Sequence, residues 1–157
     1  MSVADELDTD WSALQASLPP GTVLVTASQS DPWGQALLDQ KHVLFADEAA
    51  ELKGRDTGPS PTQMVLMALG ACTAITVRMY AARKGWPIDR LDVRLRYDDP
   101  AGDQPKPARR RIERQITLEG PLDAEQRARL FDIAEKCPVH KLLTNGADIH
   151  SELVPAA

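Results

Sequence analysis

One uncharged stretch in the middle of the chain constrains the fold most. Charged residues are absent from 57–77, and Ser60 is a suitable N-cap with Pro61 at the first helical position. Gly85 follows Lys84 and is typical of a helix end. The pattern predicts a long helix over Pro61–Lys84, around which the remaining elements must pack.

The composition indicates one domain spanning residues 1–157. A chain of 157 residues that is 43% hydrophobic and 26% charged can bury a sizeable core. The most apolar part of the long helix, residues 64–77, is shorter than the roughly 20 residues of a membrane span, so we predict a core helix and no membrane partner. The acidic residues 1–20 form an N-terminal helical segment and do not resemble a signal peptide. With only two cysteines, we therefore expect a cytoplasmic protein.

Periodicity predicts a mixed α+β fold. Strands are predicted at 22–27, 34–39, 42–47, 90–98, 111–118 and 148–154. Besides the long helix, a second helix is predicted at 121–136, followed by a short helical turn at 138–144. The predicted order is β-β-β-α-β-β-α-β.

The first cysteine, Cys72, lies midway along the long helix. On a helical wheel it shares a stripe with other apolar side chains, and we expect that stripe to be buried. The residues within about 60° of it are Val65, Ala68, Leu69, Ile75 and Met79. Burial alone raises the pKa of a thiol, so a reactive Cys72 needs a cation or hydrogen-bond donor from elsewhere in the fold. Without one it is a structural core residue.

The second cysteine, Cys137, stands at a helix break. Because Pro138 suits the first position of a new helix, we predict Cys137 at the N-cap, where backbone N–H groups and the helix dipole favour a thiolate. Lys136 and His140 add positive or proton-shuttling capacity nearby. A purely structural cap is the alternative.

Two other functions fit the sequence poorly. Five cations lie within 106–114, but the segment lacks aromatic residues and the net charge is −5, so we expect no nucleic-acid partner. The three histidines and two cysteines match no compact zinc spacing, so we predict no metal site. No phosphate-binding glycine loop or hydrolase motif occurs.

Two segments together resemble the OsmC/Ohr family of osmotically inducible and organic hydroperoxide resistance proteins. The first is Gly58-Pro59-Ser60-Pro61 followed by the cysteine helix, and the second is Cys137-Pro138-Val139-His140. The resemblance covers most of the chain, and the helix end over 78–87 is most similar to the OsmC-like branch.

The resemblance implies an OsmC-like fold in an interlocked homodimer, with sheets wrapped around the central cysteine helices. It also implies a peroxidase. Cys72 would attack an organic hydroperoxide, Cys137 would resolve the sulfenic acid as a disulfide, and a lipoyl-type or other small dithiol would reduce that bond. No cofactor is implied.

The sequence departs from the peroxidase pattern at the residues that activate the thiol. Peroxidase members have a strand arginine and a glutamate near the helix start, whereas this chain has Thr62 there and no arginine before Arg55. We name Arg55, Arg114, His140 and Gln63 as candidate supporting residues. The departure keeps a second hypothesis open, in which the same fold binds a small apolar or electrophilic ligand without peroxide turnover.

Overall fold

The computed structural model describes residues 10–27, 31–99, 105 and 107–155, which form a mixed α+β fold. Two compact units can be distinguished, residues 1–65 and 66–157. The helices are α1 (Ser12–Ser17), α2 (Pro61–Lys84), α3 (Ala124–Ala134) and α4 (Pro138–Asn145), and a 3₁₀ helix spans Ala50–Leu52. The strands are β1 (Leu24–Ala27), β2 (Gln35–Leu38), β3 (Val43–Ala46), β4 (Arg90–Tyr97) and β5 (Ile112–Glu119). The predicted fold class is confirmed.

The N-terminal unit contains an antiparallel meander in the order β1-β2-β3. Leu38 of β2 pairs with Leu24 of β1 and with Val43 of β3. Alternation along β2 buries Ala36 and Leu38 on one side of the sheet. The three predicted strands are confirmed. The acidic N-terminal segment is helical at α1, and residues 1–9 of that prediction lie outside the described residues.

Asp39 fixes the turn between β2 and β3. Its carboxylate accepts hydrogen bonds from the backbone N–H groups of Lys41 and His42 and lies 3.0 Å from His42 Nδ1. The hydrogen bond from the His42 side chain, followed by the two backbone donors, lowers the pKa of Asp39 to about 2. A turn held in this way sets the register of the two strands.

The loop from β3 to α2 is organised around the buried carboxylate of Asp47. Backbone N–H groups of Glu48, Arg55 and Thr57 donate to it at 2.7, 2.9 and 3.1 Å, and the Thr57 hydroxyl donates at 3.0 Å. Burial opposes a charge on Asp47, but these four donors outweigh it, so the pKa of Asp47 is lowered. The predicted loop is therefore a fixed connection to the cysteine helix.

Helix α2 begins and ends at the predicted residues. The Ser60 N–H donates to Gln63 Oε1 at 2.9 Å, and the Gln63 N–H donates to Ser60 Oγ at 3.4 Å, which is a capping box. At the other end Gly85 has a φ of +67°, a left-handed conformation that glycine adopts without strain. The Gln63 side chain is thus engaged in starting the helix.

In the C-terminal unit, β4 and β5 pair along their whole length, from Arg90 with Glu119 to Tyr97 with Ile112. Arg127 of α3 ties the following turn in place by donating to three backbone carbonyls. These belong to Leu118 at 2.6 Å, Gly120 at 2.9 Å and Leu122 at 3.2 Å. A fixed turn lets α3 begin at a capping box formed by Asp123 and Gln126.

The core of the C-terminal unit lies between α2 and α3. Val77 and Ala81 of α2 pack with Leu122 and with Leu130 and Ala134 of α3. Around this cluster the partly buried apolar residues are Tyr80, Trp86, Ile88, Leu91, Ile116 and Leu118. By length and composition alone α2 could cross a membrane, but the core helix of a soluble protein passes the same test, and one side of α2 packs into this cluster.

The last predicted strand, 148–154, is wrong for the single chain. Residues 146–155 are described and contain no strand, and Ile149 and Leu153 are almost fully exposed. An extended segment becomes a strand only when another strand satisfies its backbone hydrogen bonds. The sequence pattern indicates a tendency to pair, and within the described residues this segment pairs with neither of the two sheets.

We expect Asp47→Asn to destabilise the fold by about 1–3 kcal/mol, because an amide has one oxygen and cannot accept all four hydrogen bonds. The pKa of Asp47 is lowered in the folded state, so its contribution is present above the unfolded value near 4 and is lost as the pH falls through the folded value. Urea denaturation between pH 3 and 7 measures both effects. The Asp47→Asn variant should not show the loss of stability at low pH that protonation of Asp47 causes in the wild type.

The matched control is Asp56→Asn, which changes an exposed carboxylate in the same loop at a φ of 56°, a conformation that asparagine tolerates. It should leave stability nearly unchanged. Equal stability of the two variants would show that Asp47 does not organise the loop.

Candidate active site

Cys137 caps α4, as the sequence predicted. Its backbone is extended and Pro138 occupies the first helical turn. The N–H of His140 donates to Cys137 Sγ at 3.3 Å, and the sulfur is completely buried. A backbone donor at a helix N-terminus stabilises negative charge on an atom in this position.

The side chain next to Cys137 Sγ is that of Thr73 on α2. Thr73 Oγ1 lies 3.7 Å from the sulfur and donates its proton to the Leu69 carbonyl at 2.7 Å. Since a hydroxyl has one proton, the contact with the sulfur is one in which the thiol S–H donates to Thr73. Thr73 is also fully buried, so this polar cluster is closed to solvent at its centre.

Arg114 supplies the cation of this cluster. It lies on β5 opposite Leu95, and its side chain is only 9% exposed. Nη1 donates to Thr73 Oγ1 at 3.0 Å and to the Ala134 carbonyl at 3.4 Å, and Nη2 forms an ion pair with Glu135. In sequence, Arg114 has the same strand parity as Ile112 and Ile116, which predicts that it points to the apolar side of β5, and the structure agrees.

His140 stands at the edge of the same cluster. Its Nε2 is 3.6 Å from Glu135 Oε2, and a quarter of its side chain is exposed. Glu135 therefore lies between the Arg114 guanidinium and the His140 ring. Arg114, Glu135 and His140 thus form a chain of charged and polar side chains that runs from the buried Thr73 to partly exposed positions.

Cys72 is a free thiol, partly buried, and it directly precedes Thr73 in α2. Successive helical residues differ by about 100° in direction, so Cys72 and Thr73 lie on different faces of the helix. Consecutive Cα atoms are about 3.8 Å apart, so the backbone of Cys72 lies near Cys137 although the Cys137 sulfur contacts Thr73. The two cysteines do not form a disulfide with each other in this structure.

The expectation that the apolar stripe around Cys72 is buried is wrong for the single chain. Of its members only Leu69 is buried, whereas Val65, Ile75 and Met79 are exposed by 37%, 58% and 64%. The buried row of α2 runs instead through Leu69, Thr73, Val77 and Ala81. Because α2 is apolar on most of its circumference, periodicity could not decide which side packs within the chain.

Arg55 belongs to the N-terminal unit. Its Nε lies 3.7 Å from the buried carboxylate of Asp31, and half of its side chain is exposed. Its backbone N–H helps to hold Asp47. A role for Arg55 at the thiol stays a prediction.

Sequence reasoning missed Thr73 and Glu135. Thr73 had no distinguishing motif, and its spacing of four from Leu69 and Val77 was the only signal that it shares the buried row. Within the described ranges, no group of three or more His, Cys, Asp or Glu side chains could hold a metal ion.

Two of three comparisons with known proteins found matches, and these two agree. A family model described as OsmC-like protein matches residues 54–152. A search of the curated proteins found no match.

Several solved structures share the fold. An OsmC-like protein from Mycoplasma pneumoniae is 17% identical with a TM-score of 0.64, covering 78% of this chain and 86% of that one. An organic hydroperoxide resistance protein OsmC from Legionella pneumophila is 16% identical with a TM-score of 0.56, covering 80% and 91%. An OsmC-like protein of unknown function from Vibrio cholerae is 11% identical with a TM-score of 0.59, covering 79% and 93%.

We expect Thr73→Val to destabilise the protein by about 1–3 kcal/mol, because it leaves a guanidinium N–H of Arg114 without its acceptor in a buried site. Thr73→Ser keeps the hydroxyl and should cost less than about 1 kcal/mol. Urea denaturation of the reduced protein at one fixed concentration measures both, since association shifts apparent stability. A valine variant as stable as the wild type would show that the cluster does not depend on this hydroxyl.

Proposed function

This chain belongs to the OsmC family, and from that premise we propose that it is a thiol-dependent peroxidase reducing organic hydroperoxides through Cys72 and Cys137. The observation that carries the proposal is the contact of 3.7 Å between Cys137 Sγ and Thr73, the covalent neighbour of Cys72. This contact supports a short separation between two thiols that are distant in sequence. A reactive and a resolving thiol need this proximity.

In the first step the Cys72 thiolate attacks the outer oxygen of a hydroperoxide, ROOH. The O–O bond breaks, an S–O bond forms, and the sulfur loses two electrons to become a sulfenic acid. The leaving alkoxide takes a proton and departs as the alcohol. Cys72 is partly buried rather than sealed, which supports access of the peroxide.

In the second step the Cys137 sulfur attacks the Cys72 sulfenic acid. The S–O bond breaks, a disulfide forms, and the hydroxyl leaves as water after taking the Cys137 proton. The S–H of Cys137 donates to Thr73, and Glu135 and His140 lie at the surface end of the same cluster. The Cys137 proton is consumed when the leaving hydroxyl forms water, so the step balances.

The cycle closes when a dithiol reduces the disulfide. One thiolate attacks a sulfur of the disulfide to form a mixed disulfide, and the second thiol displaces it, leaving the dithiol oxidised and both cysteines reduced. We propose a small or lipoyl-type dithiol as the reductant. The cycle needs no metal or dissociable cofactor, and we propose that it operates in the cytoplasm.

Arg114 is our candidate for the missing activating cation. Its guanidinium is nearly buried and reaches the residue beside Cys72, where a positive charge favours a thiolate. Glu135 offsets part of that charge. Arg55, on the N-terminal unit, is the second candidate.

We expect excess cumene hydroperoxide to convert the reduced protein into a form with one intramolecular disulfide. Mass spectrometry after blocking of the free thiols measures this conversion. Cys72→Ser should abolish the reaction, because Cys72 is the attacking sulfur. Cys137→Ser should still consume one equivalent and leave Cys72 as a sulfenic acid, which a dimedone probe detects. A wild type that stays fully reduced would contradict the proposal.

The same assay tests Arg114. Arg114→Gln should slow the first step by about tenfold, as expected when an interaction worth about 1.4 kcal/mol with the reacting thiolate is lost. Arg94→Gln, which removes an exposed arginine of β4, is the matched control and should react at the wild-type rate. Equal rates for both variants would exclude Arg114 as the activating cation.

A second function is favoured by a specific observation. Thr62 occupies the position at which peroxidase members of the family have the activating glutamate, and Cys137 is fully buried. In this alternative the fold binds a small apolar or electrophilic ligand without peroxide turnover. The cumene hydroperoxide assay separates the two, because only the peroxidase gains a disulfide.

We also propose that the chain acts as one domain within an interlocked homodimer. Two features of the isolated chain support this: the exposed apolar side of α2, which includes Ile75 and Met79, and the unpaired segment 148–154. Exposed apolar surface of this kind marks an interaction site, and an extended segment can pair with a strand of a second copy.

Analytical ultracentrifugation should therefore show a dimer, and Ile75→Glu should weaken it by at least about 100-fold, because a charge would be buried at the interface. Ala128→Glu, at an exposed position of α3, should leave the dimer intact. A stably folded wild-type monomer at micromolar concentration would contradict the interlocked arrangement.

A further inference from the structure

A cleft of about 380 Å³ opens in the C-terminal unit beside the Cys137 cluster. Its volume lies in the range of small-molecule sites in proteins. The side chains that matter here are three arginines and three apolar residues: Arg109, Arg110, Arg114, Ile112, Phe131 and Leu143. We refer to it as the arginine cleft.

The arginine cleft is positive in a protein that is negative overall. Three guanidinium groups and one carboxylate, that of Glu135, line it, and Asp99 forms an ion pair with Arg110, so the local charge is +1 with His140 neutral. The whole chain has a net charge of −5. The positive potential is therefore a local property of the cleft, and it favours an anion there.

Two of the arginines are placed to receive a ligand. Arg110 forms an ion pair with Asp99 and lies 3.6 Å from the centre of the Tyr97 ring, so its guanidinium is held in one orientation. Arg109 donates from Nη2 to the Thr144 carbonyl at 3.1 Å and, within the described part of the chain, forms no ion pair. A fixed guanidinium loses little freedom when it binds an anion.

Arg114 differs from these two. Its side chain is turned inward to Thr73 and Glu135, and only 9% of it is exposed. It therefore contributes charge to the cleft from a nearly buried position, whereas Arg109 is exposed and Arg110 is partly exposed.

The other half of the lining is apolar. Phe131 is 55% exposed and Leu143 is 40% exposed, although both are large hydrophobic residues. Burying such surface against a ligand is favourable by roughly 25 cal/mol per Å². A purely polar anion would leave this surface in water.

We propose that the arginine cleft binds an amphiphilic anion, with a carboxylate or phosphate head at Arg109 and Arg110 and an unbranched apolar chain along Phe131 and Leu143. This goes beyond the proposed peroxidase, since neither step of that cycle requires a charged head group. The site would exist even if Cys72 turned over no peroxide. Where Cys72 does react, the same recognition would decide which ligands reach the neighbourhood of the thiols.

The test is calorimetric titration of the reduced wild-type protein with decanoate, decyl phosphate, decanol and butyrate, each below its aggregation concentration. We expect decanoate and decyl phosphate to bind at least ten times more tightly than decanol, and butyrate more weakly than decanoate because its chain is shorter. Each methylene adds about a three- to fourfold gain in affinity until the cleft is filled. Comparison of the two anions shows which head group is preferred.

Variants locate the head group. Arg109→Gln and Arg110→Gln should each weaken decanoate by about tenfold and leave decanol unchanged, because only the anion contacts the guanidinium groups. Arg83→Gln, at an exposed position near the end of α2, should bind decanoate as the wild type does. Higher salt should weaken decanoate alone.

The proposal is overturned if decanol binds as tightly as decanoate, if both arginine variants bind decanoate normally, or if no amphiphile binds at all. Failure of the peroxidase proposal looks different: cumene hydroperoxide would leave the protein reduced while decanoate still bound through Arg109 and Arg110.

Discussion

The buried guanidinium of Arg114 is the interaction on which the C-terminal unit most depends. A charge that is 9% exposed is tolerated only when its N–H groups are paired, and here they reach α2 through Thr73 and the end of α3 through Ala134 and Glu135. One side chain of β5 therefore fixes the spacing of two helices. That spacing holds the Cys137 sulfur against α2, and the proposed thiol chemistry rests on it.

Helix α2 has one face that packs within the chain and one that is exposed. The row through Thr73 and Val77 packs into the unit, and the side with Ile75 and Met79 stays exposed in the single chain. Cys72 lies on the same side as Ile75 and Met79, directly before the buried Thr73, and is partly buried. A thiol in that position is shielded by its own chain on one side and, in the proposed homodimer, by a second copy on the other. The chemistry and the assembly are thus linked through one helix.

The arginine cleft extends this arrangement to ligand selection. Arg114 belongs to both the thiol cluster and the arginine cleft. The same cation therefore hydrogen-bonds Thr73 and contributes to the positive potential that attracts an anion to the cleft. Phe131 and Leu143, the residues proposed to hold the apolar chain, lie on α3 and α4, the helices that flank Cys137. The proposed ligand would therefore bind next to the resolving thiol.

The sequence alone indicated the family and most of the elements, with the strand predicted at 148–154 as the exception. Proline, glycine and serine signals fixed both ends of α2 and the Cys137 cap, because helix termini depend on local backbone chemistry. Strand periodicity gave the meander and the inward direction of Arg114. Helix caps and strand alternation depend only on residues close together in sequence, so both can be predicted without the tertiary structure.

Tertiary structure decided which face of α2 is buried, that Thr73 rather than Cys72 touches the Cys137 sulfur, and that 148–154 forms no strand in the single chain. A helix that is apolar on most sides does not encode its own inner face, and a strand does not exist without a partner. Contacts between residues far apart in sequence settle both, because burial and pairing are properties of the assembled fold.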